Sequence, residues 1–395
     1  VERRDANGGP RAMRFDTKLV HEGTRTHGAT GDLVPPIHLS VTYDRFAQDP
    51  TRYYYGRGEN PTRENLETCL AALEDARFAV AFSSGQAAGA AVLSLAPSGG
   101  RVVASDDVYS GTHTLFDLFR ARGVRVDRTD LADPVAAAGA LTDAVDLVWL
   151  ETPTNPVMKI ADIAAIAAAA HRHGAVVVVD GTFTGPALQQ PLAEGADISL
   201  HSTTKFIAGH SDVLGGALVL DDPELRERLV GHRTAFGSVP GAFDCYLVHR
   251  GLKTLSLRVA RQVSNARAVV DVLTASPAVG AVHYPGLPEH PAFTLAARQM
   301  SAPGSIVAFE YRGDVEALMR RTELFAAAVS LGGVRSLIEH PASMSHWSVP
   351  RAVRLAAGVT DGLVRLSLGI EDPADLVEDL TAALAVAAHA EGTRG

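Results

Sequence analysis

One pattern dominates residues 65–220 and limits what the chain can fold into. Short apolar runs at 78–82, 101–105, 146–150, 175–179 and 197–200 alternate with alanine-rich stretches. Within each run the apolar residues follow one another instead of alternating with polar ones, so both faces must be covered. That is the requirement of strands in a parallel sheet between two helical layers. Residues 83–85 read as a turn into a helix over 86–95, and a second helix over 161–173 is closed by Gly174. In such an α/β architecture ligands sit beyond the carboxyl ends of the strands.

After Gly251 the texture changes. Residues 253–273 read as one long helix, and 277–291 form a Pro/Gly-rich connection. Strand-like runs at 306–311 and 363–368 and a terminal helix over 373–390 complete a smaller α+β unit. The length of 395 residues also suits two domains. The expected organisation is an arm over 1–60, a large domain over 61–250 and a small C-terminal domain over 251–395. Residues 1–14 are charged and lack an apolar core, so they read as an arm and not a secretory signal.

Composition removes several function classes. The formal net charge of −9 argues against nucleic acid or an anionic membrane surface as partner. The most apolar stretch, 160–179, is interrupted by Asp162, His171, Arg172 and His173, which argues against a membrane span. Two distant cysteines, Cys69 and Cys245, form neither a disulfide framework nor a zinc-thiolate motif and suit a reducing cytoplasm. His171/His173 and His283/His290 lack metal-ligand spacing, so no metal site is expected.

Three features fall where this fold places a site. Ser84-Gly85-Gln86 lies between strand and helix, where backbone N–H groups can face an anion; a simple turn is the plainer reading. Asp180 ends an apolar run, where a carboxylate needs a cation or a protonated nitrogen unless it caps a turn. Ser202-Thr203-Thr204-Lys205 follows the run at 197–200. Only four of the 36 basic residues are lysines, so Lys205 at that depth is notable. Desolvation would lower its pKa and free the amine for Schiff-base chemistry. An anion cradle, a carboxylate for a ring nitrogen and such a lysine are together the requirements of pyridoxal phosphate.

The chain resembles the Cys/Met-metabolism family of pyridoxal-phosphate enzymes, which includes cystathionine γ-synthase, cystathionine γ-lyase and β-lyase, methionine γ-lyase and the homoserine-ester sulfhydrylases. The matching stretches include His21-Glu-Gly-Thr-Arg25, Tyr55-Gly-Arg57, Asn60-Pro-Thr62, Ser84-Gly-Gln86, Asp107-Val-Tyr109 and Glu151-Thr-Pro-Thr-Asn155-Pro156. They continue with His201-Ser-Thr-Thr-Lys205, Gly209-His-Ser-Asp212, Arg250-Gly-Leu-Lys-Thr254, Ser330-Leu-Gly-Gly333 and Arg365-Leu-Ser-Leu-Gly-Ile-Glu371. The resemblance implies the type I, aspartate-aminotransferase-like fold and a homotetramer with active sites shared between subunits. It also implies that Lys205 carries the cofactor, Asp180 pairs with the ring nitrogen, Asn155 meets the ring oxygen and Tyr109 stacks on the ring. The phosphate would be held by Gly85, Gln86, Ser202 and Thr204, with Tyr55 and Arg57 from a neighbouring subunit. Arg365, helped by Ser330, would grip the substrate carboxylate through its planar fork.

Four positions depart from the common family patterns. Val329 stands where cystathionine-handling members carry a glutamate. Gly111 stands where methionine γ-lyases carry a cysteine. Gly181 follows Asp180 in place of asparagine, and Arg335 reverses a usual glutamate. Gly111 and Gly181 are both expected to open space. The expected reaction is γ-elimination from an L-amino acid with a compact or apolar leaving group, a thiolate or a halide, in which Tyr109 or Lys205 supplies the leaving group's proton. A γ-replacement synthase is the runner-up, and a catalytically silent interaction protein is the reading from another class.

Overall fold

The computed structural model describes residues 13–24, 31–46, 52–142 and 144–391. Most of the expected arm at 1–14, and Arg25 of the His21 motif, lie outside these residues. The apolar runs become strands: β1 (Phe78–Phe82), β2 (Arg101–Ser105), β4 (Leu147–Glu151), β5 (Val176–Asp180) and β6 (Ile198–His201). Two further strands, β3 (Arg125–Thr129) and β7 (Gly216–Leu220), complete a seven-stranded sheet in the order β1-β7-β6-β5-β4-β2-β3. Only β7 runs against the others, pairing antiparallel with both β1 and β6.

Burial on both faces explains the continuous apolar runs. On β5, Val177 and Val179 enter one core cluster and Val178 the cluster on the opposite face. Leu147 and Trp149 against Val148 and Leu150 repeat the division on β4. Each such fully buried side chain contributes about 1.5–3 kcal/mol through area removed from water.

A second sheet contains β8 (Val279–His283), β9 (Ile306–Tyr311), β10 (Ala326–Ala327), β11 (Leu337–Glu339) and β12 (Leu363–Ser367), in the order β10-β11-β12-β9-β8. It packs beneath the helices Leu255–Ala275 and Pro373–Glu391, where Val269, Leu273, Phe309, Leu366 and Leu376 form its core. The connection expected over 277–291 therefore holds a strand, β8.

Local chemistry sets several element boundaries. The Asn60-Pro61-Thr62 motif opens the helix Pro61–Leu73: the Asn60 side chain accepts the N–H groups of Thr62 and Arg63, and Pro61 takes the first turn. Behind Lys205 the loop reverses at Gly209, whose φ is +74°. A Cβ there would lie 1.9 Å from the Arg258 guanidinium, so glycine is required twice over. Arg258 belongs to the helix Leu255–Ala275 and is 4% exposed. It donates to the carbonyls of Phe206 at 2.8 Å, Ile207 at 3.3 Å and Gly251 at 2.9 Å. Burial alone lowers its pKa to about 10.

Candidate active site

The strand ends converge on a cavity of about 240 Å³. Ser84, Gly85 and Gln86 enter after β1, Tyr109 after β2, Glu151 and Asn155 from the end of β4, Asp180 from β5 and Lys205 after β6. The second sheet contributes Glu339 and Arg365, and the loop before β11 contributes Val329 and Ser330.

Lys205 has no acidic partner within ion-pairing distance among the described residues; its Nζ donates to the Ser330 hydroxyl at 2.8 Å. Burial, and then the positive charge of Arg365, push its pKa down to about 8. A sizeable share of this amine is therefore neutral near physiological pH, as a nucleophile or base requires. Ser330 itself has φ +113°, a strained conformation for a residue with a Cβ, costing about 1–3 kcal/mol.

Asp180 is 8% exposed and accepts the Thr182 N–H at 3.0 Å. Burial raises its pKa; the Thr182 hydrogen bonds and His201 counter that only in part. No described cation forms an ion pair with it, so its charge faces the cavity uncompensated. A protonated ring nitrogen would be a matching partner.

Arg365 is 3% exposed and held from three sides. It donates to Asn155 Oδ1 at 2.7 Å and to the Ser330 carbonyl at 3.0 Å, and it pairs with Glu339, its neighbour across β11 and β12. Phe183 lies under its guanidinium, 5.6 Å from ring centre to Cζ. Its Nε is buried with no partner among the described residues, so one donor of the fork is unused. Because Asn155 accepts from Arg365 through its oxygen, its amide N–H₂ is left to donate.

At the other end, the helix Gly85–Leu93 starts at Ser84, whose hydroxyl caps the Ala87 N–H at 3.0 Å. A Cβ on Gly85 would lie 3.1 Å from Ser202 Cβ, so only a residue this small lets the β1 turn and the lysine loop meet so closely. The Ser202 hydroxyl has no protein partner among the described residues. The Thr204 hydroxyl instead donates to the Gly215 carbonyl at 3.2 Å and accepts the Gly215 N–H at 3.0 Å.

Tyr55 and Arg57 do not line this chain's own cavity: Tyr55 bridges Thr42, and Arg57 donates to the Thr234 carbonyl at 2.9 Å. The space expected at Gly111 does not exist. A Cβ there would lie 2.5 Å from the Tyr109 ring and 2.6 Å from Gln86 Nε2, and the Gly111 carbonyl accepts from that amide at 2.8 Å. Gly181 does leave room, its nearest neighbour being the His201 ring at 3.4 Å. Sequence reasoning assigned no role to Glu151, Glu339 or Phe183. Glu339 could be found only through the β11–β12 register, which the sequence leaves open.

The residues present fit pyridoxal phosphate: an anion-ready helix start, an unpaired carboxylate and a deprotonatable lysine surround one ring-sized cavity. Fold and site together define an enzyme of the type I pyridoxal-phosphate class. The model of the family described as Cys/Met metabolism PLP-dependent enzyme matches residues 16–385. The chain belongs to that family.

Its curated relatives include the cystathionine gamma-synthase of Mycobacterium tuberculosis, 49% identical over 93% of this chain and 96% of that protein. The cystathionine gamma-lyase of Dictyostelium discoideum is 42% identical over 95% and 98%. Among solved structures, a Micromonospora echinospora protein is 59% identical over 94% of this chain and 99% of that one. It is described as a cystathionine gamma lyase, with TM-score 0.93, and in its apo form as a methionine gamma lyase, with TM-score 0.90. One protein thus carries two substrate names in its two structures.

Proposed function

We propose that the enzyme performs γ-elimination on an L-amino acid bearing a compact or apolar leaving group, a thiolate or a halide. The observation carrying this reading is the charge inventory of the cavity wall. Its acids are Glu151, Asp180 and Glu339, and all three are already engaged. Glu151 accepts the Tyr109 N–H, Asp180 faces the ring nitrogen, and Glu339 is paired with Arg365. Val329 lines the cavity and is 56% exposed, so this chain offers apolar surface and no free carboxylate to a distal ammonium.

Bound pyridoxal phosphate supplies an electron sink for charge developing on the substrate. Arg365 and the Asn155 amide orient the substrate carboxylate and the ring. Asp180 holds a proton on the ring nitrogen. Lys205 Nζ, directed by Ser330, would take the Cα proton, give it up to the cofactor's C4′ carbon and, neutral again, take a Cβ proton. The departing γ group receives a proton from the Tyr109 hydroxyl or from Lys205. Ser202 with the Gly85 and Gln86 backbone holds the phosphate, and Tyr55 and Arg57 serve a neighbouring subunit's site in a homotetramer. Exposed apolar side chains on the N-terminal segment, including Leu33, Leu39 and Phe46, support such subunit contacts. Two buried free thiols suit a reducing cytoplasm.

The test is release of a 2-oxo acid and ammonia from L-methionine, L-cystathionine, an O-acylhomoserine and a γ-halo amino acid. Turnover of methionine or the halide is expected; fast turnover of cystathionine alone overturns the reading. The likeness to cystathionine gamma-synthases supports γ-replacement as the second reading. It predicts product only when a thiol or carbon nucleophile accompanies the acylated substrate.

A further inference from the structure

Glu151 ends β4 directly beside Asp180, which ends β5; the two are register partners in the parallel ladder. Both open on the same cavity and both are nearly buried, at 3% and 8% exposure. Glu151 forms no ion pair with any described cation. Its Oε2 accepts the backbone N–H of Tyr109 at 3.0 Å. Every charged group around it is accounted for. Arg365 is engaged by Glu339 and Asn155, Lys205 by Ser330, and Asp107 behind it accepts the Val157 N–H. His201, on the neighbouring strand β6, is hydrogen-bonded to Glu74.

Two adjacent carboxylates with no dedicated cation cannot both ionise cheaply in a buried site. We propose that Glu151 is a neutral carboxylic acid in the working enzyme, a positioning residue that fixes Tyr109 through its backbone and leaves Asp180 as the one anion under the ring. The direction of its titration agrees: burial, and then the charge of Asp180, raise the Glu151 pKa well above the ordinary carboxylate range. The inference rests on the cavity being the cofactor site with Asp180 facing the ring nitrogen. It goes beyond that reading by dividing two look-alike acids into an ionised one and a protonated one.

An amide imitates a neutral acid in shape and can still accept the Tyr109 N–H. Three variants, E151Q, E151A and D180N, therefore separate the possibilities. Cofactor affinity can be read from the fluorescence of Trp149, which lines the cavity, by titrating the cofactor-stripped protein with pyridoxal phosphate. E151Q is expected to bind within about twofold of wild type and to keep the pH midpoint of the bound cofactor's absorbance. D180N is expected to weaken binding by tenfold or more, on the order of one pKa unit of lost interaction. E151A, which loses the Tyr109 anchor, is expected to lower kcat by about tenfold with KM little changed.

A midpoint that falls by about half a unit or more in E151Q means that Glu151 was an anion, and it overturns the proposal. If D180N binds the cofactor as wild type does, the reading of Asp180 fails instead, which keeps the two failures distinguishable. Should E151Q not fold, the infrared carbonyl band of a protonated carboxylic acid in the wild type decides, with D107N removing the band of Asp107. A protonated-acid band that remains in D107N at neutral pH and is lost when E151A is added supports the proposal; no band in D107N, or one that survives E151A, overturns it. In the cofactor-stripped protein, an acid with a raised pKa loses stability as pH rises through its folded value. The melting temperature of E151Q should therefore exceed that of wild type by a margin that widens with pH, and a flat margin counts against the proposal.

Discussion

All four lysines are partly buried, yet two of them sit in opposite electrostatic surroundings. Lys159, in the loop after β4, reaches Asp106 at 3.1 Å and Asp130 at 2.8 Å. Burial pulls its pKa down, but the hydrogen bond it donates to Asp130 and the charges of both acids outweigh it, and the net shift is upward. Lys205, at the cavity, meets a serine hydroxyl and the like charge of Arg365 and is pushed down to about 8. Burial depth therefore does not separate a structural lysine from a reactive one. Between these two, the presence or absence of a carboxylate does.

The largest break in this contrast comes from Lys205→Ala, which should lower turnover by about 10³-fold or more and abolish borohydride fixation of the cofactor's colour. Arg365→Lys should follow, with kcat/KM down about 10²-fold, because an ammonium cannot reproduce a fork that also holds Asn155 and Ser330. Val329→Glu should raise the rate on cystathionine relative to methionine about tenfold, measured with both substrates in one competition assay.

The smallest effects sharpen the comparison best, because their signs differ. Lys159→Met should cost about 1–2 kcal/mol in urea unfolding, since two partly exposed carboxylates lose their partner. Lys205→Met should instead stabilise the cofactor-stripped protein by about 2 kcal/mol at pH 7. Its folded pKa lies below the unfolded value, so the cost of charging the buried amine is full below about pH 8. That cost fades as pH approaches the unfolded value of about 10.4, and the gain should fade with it. A loss of stability in both variants would show that the two environments do not differ as described.

Much of this contrast was legible in the sequence. Lysine scarcity drew attention to Lys205, and continuous apolar runs located the five strands whose ends build most of the cavity. The edge strand β3, with sequence Arg-Val-Asp-Arg-Thr, carries no apolar run because only part of it is buried. β7 opens with a glycine and runs antiparallel, so it breaks the β-α rhythm that revealed the others. At the site, the pairing of Arg365 with Glu339 depends on register across two short strands. The filling of Gly111's space depends on where the Tyr109 ring and the Gln86 amide fall. Neither relation has a local sequence signal, since each is made by residues distant along the chain.

Arg258 gives the molecule a mechanical property as well as a stable loop. By gripping the carbonyls of Phe206 and Ile207, the residues just beyond Lys205, it rivets the reactive segment to the helix that carries the second sheet. Arg365 is anchored in that same sheet, so Lys205 and Arg365 share one frame. The distance between Lys205 and Arg365 is thus set by the second sheet and its helix as well as by the lysine loop.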